Sequence, residues 1–384
     1  MNKLKSIKDG TRDYIYDECK LKRLIIDKLS KIFSQNGYSE IMTPTIEFCD
    51  IFDIKNYVNY EDIYKFTDEK NRLLALRADC TMPIARVVAT KFNDIPNPFR
   101  LYYAQNVINT SNVKLETTQT GVELIGIKDI RADIEVLWLS IFALKEFFDG
   151  KFHIELGHGQ LFNILIDEYK IEQQIAEEAR TYIENKNFAA LASLNIPDEI
   201  KELPKMFGKI EVLDAYINSS KIPKIIEILQ YLKEIYNLLV SLNLEQYITF
   251  DLGLVHKLDY YTGIIFKGYV EGSGRTILSG GRYDSLIENF GKDLDAIGFG
   301  IDVDQIFDVL QKQHKINIQE IDALIYFSLE KCSEAYNLLI ELTQKGKVVI
   351  LSTAKNKNDA INEAKNQNIK NVYIFDQNFE RIEL

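Results

Sequence analysis

Four short stretches place polar side chains beside glycines and aromatics inside otherwise apolar runs. They are Leu76-Arg77-Ala78-Asp79-Cys80-Thr81, Glu116 to Glu123, Asp251 to Gly263, and Leu278-Ser279-Gly280-Gly281-Arg282-Tyr283-Asp284. No nucleophile–base pair accompanies them, so the chemistry they offer is recognition rather than bond breaking. In the second stretch Gln119, Gly121 and Glu123 share strand parity and point to one face. The glycine between the two polar residues leaves space where a ligand's atoms could approach. A carboxylate and an amide on one face suit an ammonium ligand through charge-assisted hydrogen bonds. The competing reading pairs Glu123 with a lysine on a solvated face. Tyr260 and Tyr261 alternate, so one ring is expected to face a pocket and the other to pack elsewhere; two core rings are the alternative. Ser279-Gly280-Gly281 offers either close backbone approach to a ligand or a simple strand-end turn. His158, in Gly157-His158-Gly159, reads more readily as structural than functional. Neither a GxxxxGK[ST] loop nor a GxGxxG loop in a strand–helix context is present.

The elements that must position these residues are legible from periodicity. Leu21, Leu24, Ile25, Leu29, Ile32 and Phe33 recur at helical spacing between Cys19 and Gln35. The helix ends at Asn36-Gly37, and a strand-like segment follows through Tyr38, Ile41 and Thr43-Pro44. Further strands are expected at Leu73–Leu76, Phe99–Val107, Gly121–Ile127, Ile248–Asp251, Ile264–Val270 and Ile297–Ile301, with a helix at Ala132–Phe148. This pattern predicts an α+β protein built on a mixed, largely antiparallel sheet. Residues 162–244 read as a helical insertion with breaks at Pro197, Pro204 and Pro223. The tail reads as strand Ala323–Phe327, helix Lys331–Gln344, strand Val348–Leu351, helix Asp359–Asn366 and a last strand Val372–Phe375. The expected division is therefore a core of 1–161 and 245–312, the insertion 162–244, and a small α/β domain at 320–384.

Composition narrows the function. The 384 residues suggest two to three domains at about 150 residues each. With 46 Lys and Arg against 57 Asp and Glu the net charge is −11, which disfavours a general polyanion binder. The four cysteines (Cys19, Cys49, Cys80, Cys332) have no metal-ligand spacing and read as free thiols of a reducing compartment. No metal and no cofactor are expected. The first 17 residues lack the apolar core of a signal peptide. No run approaches the roughly 18 apolar residues of a membrane span, so a soluble cytoplasmic protein is expected.

Read together, the motifs resemble those of histidyl-tRNA synthetase and its relatives, the class II aminoacyl-tRNA synthetase-like fold, over residues 8–310. The markers are Gly10-Thr11-Arg12-Asp13, the dimer-motif-like Gly37 to Pro44, Leu76-Arg77 with Asp79 and Thr81, and Gln119 to Glu123. The most specific are Leu258-Asp259-Tyr260-Tyr261-Thr262-Gly263 and Gly280-Gly281-Arg282-Tyr283-Asp284. The resemblance implies a histidine pocket at Asp79, Thr81, Gln119, Glu123, Tyr260 and Tyr261. Asp79, Gln119 and Glu123 would accept from ammonium or imidazole N–H groups, and Tyr261 would bond the imidazole edge. Asn109, His256 and Tyr283 would stand at the pocket rim.

Departures from the synthetase pattern separate the chain from a working enzyme. Asn109 stands where the second motif carries an arginine for the ATP α-phosphate, and Leu115 replaces a further arginine. His256 replaces the histidine-specific arginine and Gln305 the third-motif arginine. Adenylate formation needs fixed guanidinium donors, and losing one preorganised donor costs about 10²–10³ in rate. A chain that keeps the amino-acid site and loses the ATP grip resembles the ATP phosphoribosyltransferase regulatory subunits. That resemblance implies no catalysis of its own, a short-form catalytic partner, histidine feedback, a homodimer through the class II core and a mixed octamer. The tail resembles a shortened anticodon-binding domain, but its 8 Lys/Arg against 10 Asp/Glu between Glu320 and Leu384 argue against tRNA. The alternative is a histidine-activating enzyme drawing phosphate contacts from Arg77, Arg275 or Arg282.

Overall fold

Leu21, Ile25, Leu29, Ile32 and Phe33 form the buried stripe of α1 (Asp17–Gln35) in the computed structural model. Leu24 belongs to the same apolar set but falls outside the stripe and is 49% exposed. Asp17 and Glu18 sit in the first turn, where the helix dipole favours them. The helix stops at Asn36, and Gly37 supplies a left-handed residue at φ +83°. The structure describes residues 3–54, 60–110, 114–255, 260–312 and 321–384.

The chain then runs through β1 (Ser39–Glu40), β2 (Ile46–Phe48), β3 (Lys65–Thr67), β4 (Leu73–Leu76), α2 (Thr81–Lys91), β5 (Phe99–Ile108), β6 (Glu116–Ile125), α3 (Ile130–Phe148) and β7 (Phe152–His158). A helical stretch follows: α4 (Leu161–Glu168), α5 (Gln173–Glu184), α6 (Phe188–Ser193) and α7 (Asp198–Glu202), then the short β8 (Phe207–Gly208), α8 (Glu211–Ser219) and α9 (Pro223–Ser241). The sheet resumes with β9 (Ile248–Asp251), β10 (Ile264–Val270), β11 (Leu278–Arg282) and β12 (Ala296–Asp302), and α10 (Val303–Lys312) closes the segment.

Among the described residues nine strands form one sheet in the order β1-β5-β6-β12-β11-β10-β7-β9-β8. Only β1 with β5 and β7 with β9 are parallel. β6 begins at Glu116, five residues before its expected start, so Gln119 lies within the strand rather than ahead of it. Its burial explains the difference: Thr117 and Thr118 are buried on an edge of the run that hydropathy alone leaves out. Pro223 starts α9 rather than breaking a helix, because proline's missing N–H costs nothing at the first position. From there Ile225, Leu229, Leu232, Ile235 and Leu239 bury one face of α9.

Residues 1–314 form one compact unit and residues 315–384 another. The second comprises β13 (Ala323–Phe327), α11 (Cys332–Gln344), β14 (Val349–Leu351), α12 (Lys357–Asn366), β15 (Asn371–Phe375) and β16 (Phe379–Glu383). Its sheet runs β14-β13-β15-β16, parallel except for β16. The strand at Val372–Phe375 is thus not the last. Phe379-Glu380-Arg381-Ile382-Glu383 was missed because it carries alternating charges and is mostly exposed, leaving backbone pairing to β15 as its chief anchor.

Candidate functional site

Glu123, on β6, is 2% exposed, and its carboxylate is held from two other elements. Thr81 Oγ1, at the start of α2, donates to Oε1 at 2.8 Å, and the Tyr283 hydroxyl, just after β11, donates to Oε2. The reading that paired Glu123 with a lysine on a solvated face is therefore overturned. Gly298 on β12 faces Glu123 across the strands, and a Cβ there would stand 1.9 Å from Glu123 Oε2. Only glycine leaves room for the carboxylate.

Asp79 sits at the mouth of α2, where Oδ1 accepts from the Met82 N–H at 2.9 Å. Burial pushes Asp79 up to about 6, opposed by the Met82 and Thr81 N–H groups and by Arg77. Burial likewise pushes Glu123 up to about 8, against its hydrogen bonds from Tyr283 and Thr81 and with added repulsion from Asp79. Two acidic side chains are thus held in a buried site whose desolvation outweighs the hydrogen bonds and the Arg77 charge that oppose it, a condition that an incoming N–H donor relieves. Gln119 adds a third acceptor: its Oε1 is buried with no hydrogen-bond partner among the described residues.

The space expected above Gly121 is not open. A Cβ at Gly121 would meet the Tyr103 hydroxyl at 2.7 Å, because Tyr103 on β5 lies directly opposite in the register. Tyr103 is a site residue that sequence reasoning missed. The signal was a tyrosine facing a glycine, which appears only once the β5–β6 pairing is known. Tyr260 and Tyr261 do not diverge either: their ring centroids are 4.0 Å apart, and both lie against the core that contains Met82, Tyr103 and Tyr283. Tyr283, expected at a rim, is 3% exposed and holds Glu123 from inside. Gly280 and Gly281 lie in the middle of β11, not in a turn.

Asn109 stands apart from this cluster. It follows β5, bridges Ile63 and bonds the Leu115 carbonyl through its N–H at 2.9 Å. Four residues separate it from Gln105, the partner of Gln119, so it lies about 13 Å farther along the strand. His256, Leu258 and Asp259 lie outside the described residues. His158 is buried, its Nδ1 accepts from the Gln160 N–H at 3.2 Å, and burial holds it down to about 4.

The candidate phosphate donors are mostly committed elsewhere. Arg77 is 2% exposed and donates to the carbonyls of Thr43 at 2.8 Å, Pro44 at 3.0 Å and Asn106 at 2.7 Å. Arg282 is also buried, with Nε 3.0 Å from Asp133 Oδ1 and Nη1 3.2 Å from Asp284 Oδ1. Arg275 is exposed between β10 and β11. Among the described residues no group of three or more His, Cys, Asp or Glu could hold a metal ion, and no helix is long and apolar enough to cross a membrane.

The histidyl-tRNA synthetase family model matches residues 10–306. A Clostridium kluyveri protein named ATP phosphoribosyltransferase regulatory subunit is 39% identical, covering 95% of this chain and 98% of that one. The chain belongs to the ATP phosphoribosyltransferase regulatory subunit family, a histidyl-tRNA synthetase-like group. A Bacillus mycoides regulatory subunit is also 39% identical over 95% of the chain and 90% of its own length. Among solved structures, an ATP phosphoribosyltransferase regulatory subunit/histidyl-tRNA synthetase from Bacillus halodurans superposes with a TM-score of 0.86 at 29% identity, covering 98% of this chain and 99% of that one. Histidyl-tRNA synthetase from Nostoc sp. PCC 7120 gives a TM-score of 0.82 at 20% identity over 99% of this chain and 96% of that one, a likeness of fold. The fold is thus the class II synthetase-like α+β architecture. Gln305 lies in the first turn of α10, and its N–H donates to Asp302 Oδ1 at 3.1 Å.

Proposed function

We propose that this protein is the non-catalytic regulatory subunit of an ATP phosphoribosyltransferase, the first enzyme of histidine biosynthesis, and that its Glu123 pocket takes L-histidine. The observation that carries the ligand is the set of buried acceptors. Gln119 and Glu123 share one face of β6, and their side-chain ends lie beside Gly300 and Gly298, which are about 7 Å apart along β12. A molecule with nitrogen donors at both ends suits that span. Histidine has an ammonium at one end and an imidazole N–H at the other. Asp79 and Thr81 would share the first, and Tyr260 and Tyr261 would flank the ring. Tyr283 positions Glu123 rather than meeting the ligand first, and Tyr103 fills the space above Gly121.

The names of the relatives support a catalytic phosphoribosyltransferase as partner. We infer the short form of that enzyme, a homodimer through the core, a hetero-octameric assembly in the cytoplasm, and feedback through histidine. On this reading 1–161 with 245–312 is the histidine-binding core, 162–244 an insertion, and 320–384 a shortened anticodon-binding-like domain. A switch of this kind works only if its two states differ in histidine affinity. The histidine-activating alternative is weakened because Arg77 and Arg282 are engaged in structural bonds.

The test combines this protein with the short phosphoribosyltransferase of the same organism and follows phosphoribosyl-ATP formation. Activity that needs both chains and falls with histidine supports the reading. A competent partner left unactivated would overturn it.

A further inference from the structure

A second pocket opens between the helical stretch and the far end of the sheet, with a volume of about 160 Å³. Ile183, Lys186, Phe188 and Phe207 line it from one side, and Glu155 on β7 and Asp251 on β9 from the other. The register puts Glu155 beside Thr249, two residues before Asp251, so the two carboxylates share a face. Phe207 of β8 pairs with Asp251 and brings its ring to the same place. Four strand steps separate β6 from β7, about 19 Å, so this pocket is distinct from that of Glu123.

Glu155 is 6% exposed, yet its Oε2 is buried with no hydrogen-bond partner among the described residues. Its other oxygen lies 3.7 Å from His153 Nε2, and the Tyr269 hydroxyl flanks the same carboxylate. Asp251 accepts from the Gly253 N–H at 2.9 Å. Burial, reinforced by Glu155, pushes Asp251 up to about 6, while Lys186 and Lys267 oppose the shift. A buried carboxylate oxygen without a donor costs free energy that a ligand N–H group would recover. Phe188, Phe207 and Ile183 offer an apolar wall beside it, and the volume suits about as many atoms as benzene.

We propose that this cavity is a binding site for a small molecule carrying a primary ammonium on a short apolar stem. The ammonium sits between Glu155 Oε2 and Asp251, and the stem lies against Phe188, Phe207 and Ile183. A ligand that also bears a carboxylate would engage Lys186 at the exposed side. This inference does not rest on the histidine reading.

The test follows the Ile183 methyl group by NMR in isoleucine-labelled full-length protein, titrated with n-butylammonium, norvaline and n-butanol. Butylammonium should move Ile183 at millimolar concentration, and butanol should not. Glu155→Gln should weaken the effect about tenfold, since a charge-assisted bond is replaced by a neutral one. Glu123→Gln should leave it unchanged, which separates this cavity from the other pocket. Norvaline binding tighter than butylammonium, with the advantage lost in Lys186→Met, would identify the ligand as an amino acid. Equal or weaker binding would identify a simple amine. The proposal fails if butanol matches butylammonium, or if neither amine moves Ile183 in the wild-type chain.

Discussion

Tyr283 donates its hydroxyl to Glu123 across 160 residues of sequence, and the neighbouring Arg282 turns the other way to grip Asp133. Two consecutive side chains at the end of β11 thus serve different masters. One shapes the pocket, and the other ties the sheet to α3 and, through the Tyr231 hydroxyl on Asp133 Oδ2, to α9.

Glu123→Ala and Tyr261→Phe should both weaken histidine binding while the chain stays folded. Removing the carboxylate deletes a charge-assisted bond, an effect of about 1.5–3 kcal/mol or at least tenfold in affinity. Tyr261→Phe removes one hydroxyl and should cost less. Isothermal titration with circular dichroism of both variants reads the two quantities, and unchanged affinity in both would refute the pocket assignment.

Acidity gives a second handle. In the folded chain Glu123 keeps its proton up to about 8, while its ordinary value is 4.5. Between those values the native state binds more protons than the unfolded one, so stability of the unliganded protein should fall as pH rises through that window. Asp79, raised to about 6, adds to the lower half. Histidine bound to ionised Glu123 must release the proton, so affinity should rise from about pH 6.5 to 8. Titration in buffers of different ionisation enthalpy detects the released proton. A flat affinity profile, or a slope retained in Glu123→Gln, would count against this linkage.

Arg282→Met should be strongly destabilising. It leaves Asp133, whose side chain has no solvent exposure, as an uncompensated buried charge. Breaking such a pair from one side costs about 3–5 kcal/mol. Adding Asp133→Leu should recover part of the loss, because both charges are then gone. Chemical denaturation of the single and double variants measures the recovery, and two purely additive losses would argue that the pair is not the cause.

Histidine-dependent exchange of pyrophosphate into ATP should stay at background. On the proposed alignment Asn109 and Gln305 take the second- and third-motif arginine positions, and Arg77 is held by three carbonyls. Measurable exchange by the purified chain would revive the activating-enzyme reading.

Much of this architecture was readable because amphipathic periodicity survives in single segments. The α1 stripe, the strand at Ile264–Val270 and the shared parity of Gln119 and Glu123 all follow from local spacing. What stayed hidden depends on pairing between distant segments. Tyr103 above Gly121 and Gly298 beside Glu123 are cross-strand relationships set by register, which no local pattern encodes. The adjacency of Tyr260 and Tyr261 had a different cause: strict alternation holds only inside a strand, and β10 starts three residues later at Ile264. Gly280-Gly281 looked like a turn because glycine pairs usually are. Here the strand needs them because Phe266 and Tyr261 press against it, with ring atoms 2.6 Å from where each Cβ would stand.

The polar strand that closes the second unit has a consequence for life at high concentration. β16 forms one edge of its sheet, and an uncapped edge invites strands of other molecules to add on. Glu380, Arg381 and Glu383 line that edge and are exposed, so a newcomer would have to desolvate charged side chains to dock there. The same residues that concealed the strand from a hydropathy reading protect the protein from aggregating through it.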